Sequence, residues 1–168
     1  GADINHQERT NQKVISNFLQ HKFNLLGSGW VKVHYGMTCL GFEDYLYESV
    51  PPPVFDPKGE WLKGRVKRSY LRSSQIIWSL IEVGYEPIDW QLDFKSGYRW
   101  SEKTWYKSIK YLNKPGVDIK VPWELARMQH LPLLAKEYLS EEITSKQKKA
   151  LIFEFRNQVL DFIATNPP

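Results

Sequence analysis

The chain has 168 residues, a length that suits one domain. Hydrophobic residues make up 42% of it and charged residues 25%, a balance that builds a core and excludes a disordered chain. The net charge of +4 is mild and the basic residues are scattered, with small clusters only at 63–68 and 146–149, so the dense basic stripe of a nucleic-acid binder is missing.

Residues 6–26 show helical spacing at Val14, Phe18, His21 or Lys22, and Leu25, with Gly27 as a stop. "GSGWVKVHYG", Gly27–Gly36, alternates weakly and fits a short strand or an extended loop. Its Gly-rich start follows a helix rather than a strand, the reverse of a phosphate cradle, and reads as a chain reversal. Residues 41–66 form an irregular, Pro-rich loop, because four prolines in "ESVPPPVFDPKGEW" bar a regular element. A second helix fits 67–83, with Tyr70, Ile77, Leu80 and Ile81 on its apolar side and Gly84 after it. "YEPIDWQLDFKSGYRW", Tyr85–Trp100, is aromatic and turn-like. Ser101 is a suitable N-cap for a helix through Leu112, and 113–116 is a turn. Pro122 opens a further helix that reaches Tyr138 and is kinked by Pro132. The last helix fits 145–164, with Ile152, Phe155, Val159 and Phe162 on one stripe, a basic solvated start at 146–149, and "NPP" as its stop. The sum is one helical domain over 1–168, of all-α class, with long aromatic connections.

Cys39 is the only cysteine, which excludes an internal disulfide and a cysteine metal site. His6, His21, His34 and His130 show no metal-type pairing, so neither metal nor cofactor is expected. No stretch approaches a membrane span. A signal peptide is lacking, yet Gly1-Ala2-Asp3 suits a trimmed chain, which leaves the compartment open and the periplasm or cell envelope as the place if a leader was removed. The chain has seven Trp, nine Tyr and eight Phe, most of them crowded between Trp30 and Trp123, enough to build a core, an interface or a stacking surface for sugar rings.

The stretch "GVDIKVPWELARMQH" carries charges where a helix should be apolar. With Trp123 at 0° and about 100° per residue, Arg127 falls near 40° and His130 near −20°, beside Leu134 and Tyr138. Glu124 lies on the flank, within i,i+3 reach of Arg127. Two readings stand. In one, Glu124 and Arg127 stitch helices together and His130 is a satisfied core histidine. In the other, the face lines a groove and these groups meet a ligand. Asp89, Trp90, Asp93, Tyr98, Arg99 and Trp100 form a second constellation: the aromatic faces suit a sugar ring and Arg99 a carboxylate or sulfate, or else the loop is packing, with Asp89 or Asp93 capping local backbone. Asp118 reads as a helix cap.

"YEPIDWQLDFKSGYRW" followed by "GVDIKVPWELARMQHLPLLAKEY" resembles the N-terminal helical region of heparinase II/III-like proteins. "FNLLGSG" at Phe23–Gly29 and "LDFIATNPP" at Leu160–Pro168 are similar to further family segments, so the resemblance spans nearly the whole chain. It implies a partial α/α toroid, an incomplete ring of helical hairpins around a sugar groove, and an anionic, uronate-containing polysaccharide as partner. Relatives are polysaccharide lyases that perform β-elimination. Such an enzyme neutralises the uronate carboxylate, removes the C5 proton with a base and protonates the leaving oxygen with an acid. The family's catalytic residues have no motif counterpart here; His130 and Tyr138 match in type, not in position. The expectation is therefore a groove-forming segment, inactive alone, with Trp123, Glu124, Arg127, His130, Trp90, Tyr98, Arg99 and Trp100 as substrate-binding residues. The alternatives are a non-catalytic glycan-binding module, or a fragment whose exposed helix faces dock a second copy or a further domain. Heparan-type, alginate-type and bacterial capsule or exopolysaccharide chains all fit.

Overall fold

The computed structural model describes residues 2–104 and 114–168. The chain runs through α1 (Ala2–Leu19), β1 (Lys22–Phe23), β2 (Val31–Lys32), a 3-10 turn (Glu60–Leu62), α2 (Leu71–Trp78), α3 (Lys120–Ala126), α4 (Leu131–Tyr138) and α5 (Ser145–Thr165). The expectation of an all-α partial toroid is overturned: the chain is 40% helical and adds a small two-stranded antiparallel sheet, a mixed α and β architecture. The cause is local. The first helix stops at Leu19 because His21 turns to φ 57°, and the chain then reverses through Leu25–Ser28 so that Lys22 pairs with Lys32 and Phe23 with Val31. The stop therefore falls well before Gly27. The 41–66 segment is irregular save for one 3-10 turn, and α2 covers only Leu71–Trp78 of the helix expected over 67–83. Residues 101–104 are turn-like, and the rest of the helix expected to reach Leu112 lies outside the described residues.

The long loop is folded in rather than loose. The Tyr47 N–H donates to the Ser96 carbonyl at 2.9 Å and its hydroxyl donates to the Pro115 carbonyl at 2.8 Å. Two glycines make this approach possible: a Cβ on Gly97 would stand 2.7 Å from the Tyr47 carbonyl, and one on Gly116 2.7 Å from the Phe42 carbonyl.

Two apolar clusters hold the chain. The larger gathers Phe18, Phe23, Val33, Ile88, Trp90, Leu92, Phe94, Val121, Leu125, Leu131, Leu134 and Leu151 from every helix but α2. The smaller joins Tyr35, Trp61, Leu62, Val66, Trp78 and Ala164. Within it Trp61 meets Trp78 edge-on at 4.8 Å and Phe55 at 4.9 Å, geometries that add to plain area burial. The long helix α5 packs against α2 and α4, so it links both clusters.

The helix expected from Pro122 to Tyr138 is two helices. Met128 adopts φ 51°, and its carbonyl accepts from the Leu131 N–H at 3.0 Å, so the chain breaks and restarts with Pro132 in the first turn of α4. A single wheel therefore does not describe residues 123–138.

The start of α5 is fixed by a capping box: Thr144 Oγ1 accepts from the Gln147 N–H at 3.2 Å, and Gln147 Oε1 accepts from the Thr144 N–H at 2.7 Å. Its buried side is largely polar. Glu154, Asn157, Gln158, Asp161 and Thr165 are buried, while Ile152, Phe155 and Ile163 are exposed. Of the expected stripe, only Val159 and Phe162 pack against the main cluster.

Candidate functional site

Trp90, Trp100 and Trp123 come from two ends of one loop and from α3, and they line a single cleft of about 320 Å³. Local bonds set the loop. The Trp100 N–H donates to the Gln91 carbonyl at 3.0 Å, and Leu92 bridges Arg99, so the two ends of 90–100 lie side by side. Asp93 closes the bend: its Oδ2 accepts from Ser96 Oγ at 2.6 Å and from the Asp118 N–H at 2.9 Å, which ties the loop to the approach to α3. Asp118 in turn accepts from the Lys120 N–H at 2.9 Å. At the back, Phe162 of α5 meets Trp90 edge-on at 5.3 Å, and Gln91 bonds Asn166 across 75 residues of sequence.

The cleft offers mixed chemistry. Trp123 is 44% exposed. Trp90 and Trp100 are buried, and the Trp100 indole N–H has no hydrogen-bond partner among the described residues. Such an orphan donor costs about 1–3 kcal/mol unless something meets it. Lys67, Ser101, Gln91 and Asn166 add polar atoms to the wall. Apolar faces with a few converging polar groups in a volume above about 300 Å³ describe a small-molecule site. Neither Lys67 nor the Gln91–Asn166 pair was among the residues expected at the site. The only trace of Lys67 was its place in the 63–68 basic cluster, and the amide pair joins positions whose proximity only the fold creates.

The other expected residues go elsewhere. Arg99 lies behind the cleft wall, with Nε donating to Asp89 Oδ2 at 2.8 Å and Nη1 to Glu102 Oε2 at 3.1 Å and a further bond from Nη2 to Glu102. Burial opposes its charge, but the bonds to Glu102 and Asp89 outweigh this and raise its pKa. Burial raises the Asp89 pKa, against the pull of Arg99. The guanidinium is thus occupied by two carboxylates. Tyr98 meets Trp100 edge-on at 4.8 Å, under the Lys114 ammonium. Glu124 and Arg127 form an i,i+3 pair at 3.1 Å, with the Arg127 side chain 62% exposed.

His130 faces the interior and not the cleft. Its Nε2 lies 2.6 Å from Gln158 Oε1, and its ring lies against Phe23 at 4.9 Å and Phe18 at 5.4 Å. Gln158 Nε2 donates to Glu154 Oε2 at 3.0 Å, and the same oxygen lies 2.6 Å from His21 Nε2. Burial lowers the His130 pKa, which favours neutral imidazole. One turn on, Asp161 Oδ2 accepts from the Ile88 N–H at 2.9 Å and from the Tyr85 hydroxyl at 2.8 Å. Burial pushes its carboxyl up to about 7 despite these bonds; the Trp90 indole N–H also lowers it, although its geometry falls short of a full hydrogen bond. These contacts bolt α5 to the turn after α1 and to the 85–88 segment, although Asp161 Oδ1 and Asn157 Nδ2 have no hydrogen-bond partner among the described residues.

Among the described residues no group of three or more His, Cys, Asp or Glu side chains converges to hold a metal ion, and no helix is long and apolar enough to cross a membrane. Comparisons with protein-family models, with curated proteins and with solved structures return no match.

Proposed function

We propose that the chain is a sugar-binding segment of a heparinase II/III-like polysaccharide lyase, and that its cleft holds a uronate-containing polysaccharide. The observation that carries this reading is the convergence of Trp90, Trp100 and Trp123 on one cleft that also holds Lys67 and the amides of Gln91 and Asn166. Indole faces stack on the C–H face of a pyranose, the Gln91 and Asn166 amides meet hydroxyls, and the Lys67 ammonium pairs with a carboxylate.

The same geometry favours binding over elimination for this chain by itself. The described titratable groups lining the cleft are Lys67 and Glu102, and Glu102 is engaged by Arg99, with Arg65 at 3.7 Å. His130 is locked to Gln158, and Tyr138 lines a different, apolar groove between α4 and α5. Neither supplies an acid or base to the cleft.

Calorimetric titration with heparan-type and alginate-type oligosaccharides tests the proposal. Binding is expected, Trp123→Ala and Lys67→Ala each weaken it by about tenfold, and no unsaturated sugar product accumulates. Failure of every acidic oligosaccharide to bind, or binding indifferent to both substitutions, overturns it.

A further inference from the structure

A second hollow, of about 760 Å³, opens where the 26–42 segment meets the bend at Phe94 and Lys95. It is a different part of the surface from the Trp90–Trp100–Trp123 cleft and shares no lining residue with it. Its wall includes Trp30, which is 42% exposed while its ring meets Phe18 in a T-shaped contact at 5.6 Å. The ring is therefore held by the core and open on its outer side.

The charge in this hollow is one-sided. Among the described residues no Asp or Glu lines it. Lys32 is already neutralised by Glu86 at 2.7 Å. Lys95 is not: its ammonium sits 4.1 Å from the centre of the Phe42 ring, donates to the Leu26 carbonyl at 3.0 Å, and has no carboxylate partner among the described residues. An ammonium has three N–H donors, so two remain for a ligand. His34, in the same wall, holds the Tyr35 carbonyl through Nδ1 at 3.0 Å. The loop that holds Lys95 in place is strained, with Leu26 at φ 51° ahead of Gly27 at φ 75°. A non-glycine residue in that region persists only where its surroundings fix it, and such strain gathers at binding sites.

We infer that this hollow is a second binding site, for a sugar ring bearing a carboxylate or sulfate, with Trp30 stacking on the ring and Lys95 pairing with the anion. The inference rests on the acidic-glycan reading of the first cleft and adds a separate contact for the same kind of chain. A polymer that engages both gains avidity, because the second contact forms at the high effective concentration the first one creates.

The experiment is a ¹H–¹⁵N NMR titration of the whole chain with a glucuronate tetrasaccharide and with its carboxyl-reduced, neutral counterpart. The acidic sugar is expected to shift the Trp30 indole resonance, and the neutral one to leave it in place. Lys95→Gln weakens binding read at Trp30 by about tenfold, whereas Lys95→Arg retains it. Trp30→Ala removes the stacking; because Trp30 also touches Phe18, its thermal unfolding is compared with that of Lys95→Gln, which leaves the core intact. Shifts confined to Trp100 and Trp123, unchanged by Lys95→Gln, overturn the second site and leave the first reading standing. Equal shifts at Trp30 from both sugars overturn the anion pairing. No shift at any indole overturns both.

Discussion

The inner face of α5 and the aromatic cleft both bury polar atoms, but they treat them differently. On α5, Glu154, Gln158 and Asp161 find His21, His130, Tyr85 and the Ile88 N–H inside the protein. In the cleft, the buried Trp100 indole N–H finds nothing among the described residues, while Trp123 and Lys67 stand on the wall of an open volume. A paired buried group holds a fold together; an exposed aromatic face and a cation on the wall of a void are where a ligand binds. On this distinction His130 belongs with the scaffold, although its residue type is common in catalysis.

The sharpest way to break the comparison is to remove the bolt. Glu154→Ala strands His21 and Gln158 in the interior and is expected to cost about 3 kcal/mol in urea-induced unfolding, while the protein that remains folded binds sugar as before. A loss below about 0.5 kcal/mol would place Glu154 outside the scaffold. Next comes pH. The Asp161 carboxyl, at about 7 when folded against 3.8 as its ordinary value, holds a proton that the unfolded chain has released. Its contribution makes stability fall as pH rises between those values and then level off. His130, lowered by burial, acts in the opposite sense: stability it supports is lost as pH falls below its ordinary value of 6.5. Asp161→Asn removes only the first component. Its stability relative to the parent chain should therefore improve from pH 4 to pH 7, by on the order of a few kcal/mol. A flat difference across that range would remove Asp161 as a buried, protonated group. The smallest effect is expected at the exposed pair: Arg127→Ala should change stability by no more than about 0.5 kcal/mol and leave oligosaccharide affinity unchanged. A tenfold loss of affinity would return Arg127 to the site.

The legible parts of the sequence were those governed by local chemistry. The last helix was readable from its polar start and the "NPP" stop, and Thr144 with Gln147 supplies the cap that sets its start. The four prolines leave 41–66 with a 3-10 turn at Glu60–Leu62 and no longer helix. What stayed hidden depends on the fold. The wheel over 123–138 assumed one continuous helix, and the left-handed turn at Met128 sends His130 into the core while Trp123 stays at the surface. Apolar spacing on α5 pointed to Ile152 and Phe155 as inward, but His21, in the turn after α1, and the 85–88 segment draw the other face inside. The charge of Arg99 suggested a ligand contact, and Asp89 and Glu102 claim it.

Trp100→Phe tests the distinction most directly, because it trims one aromatic wall of the cleft and loses an N–H that has no partner among the described residues. Unfolding and uronate-oligosaccharide titration are measured on the same variant. Stability should change by less than about 1.5 kcal/mol, since the N–H bonds nothing in the described fold, while affinity falls by about five- to tenfold. Unchanged affinity together with a loss of stability as large as that of Glu154→Ala would contradict it, and would make Trp100 a structural residue like those beneath α5.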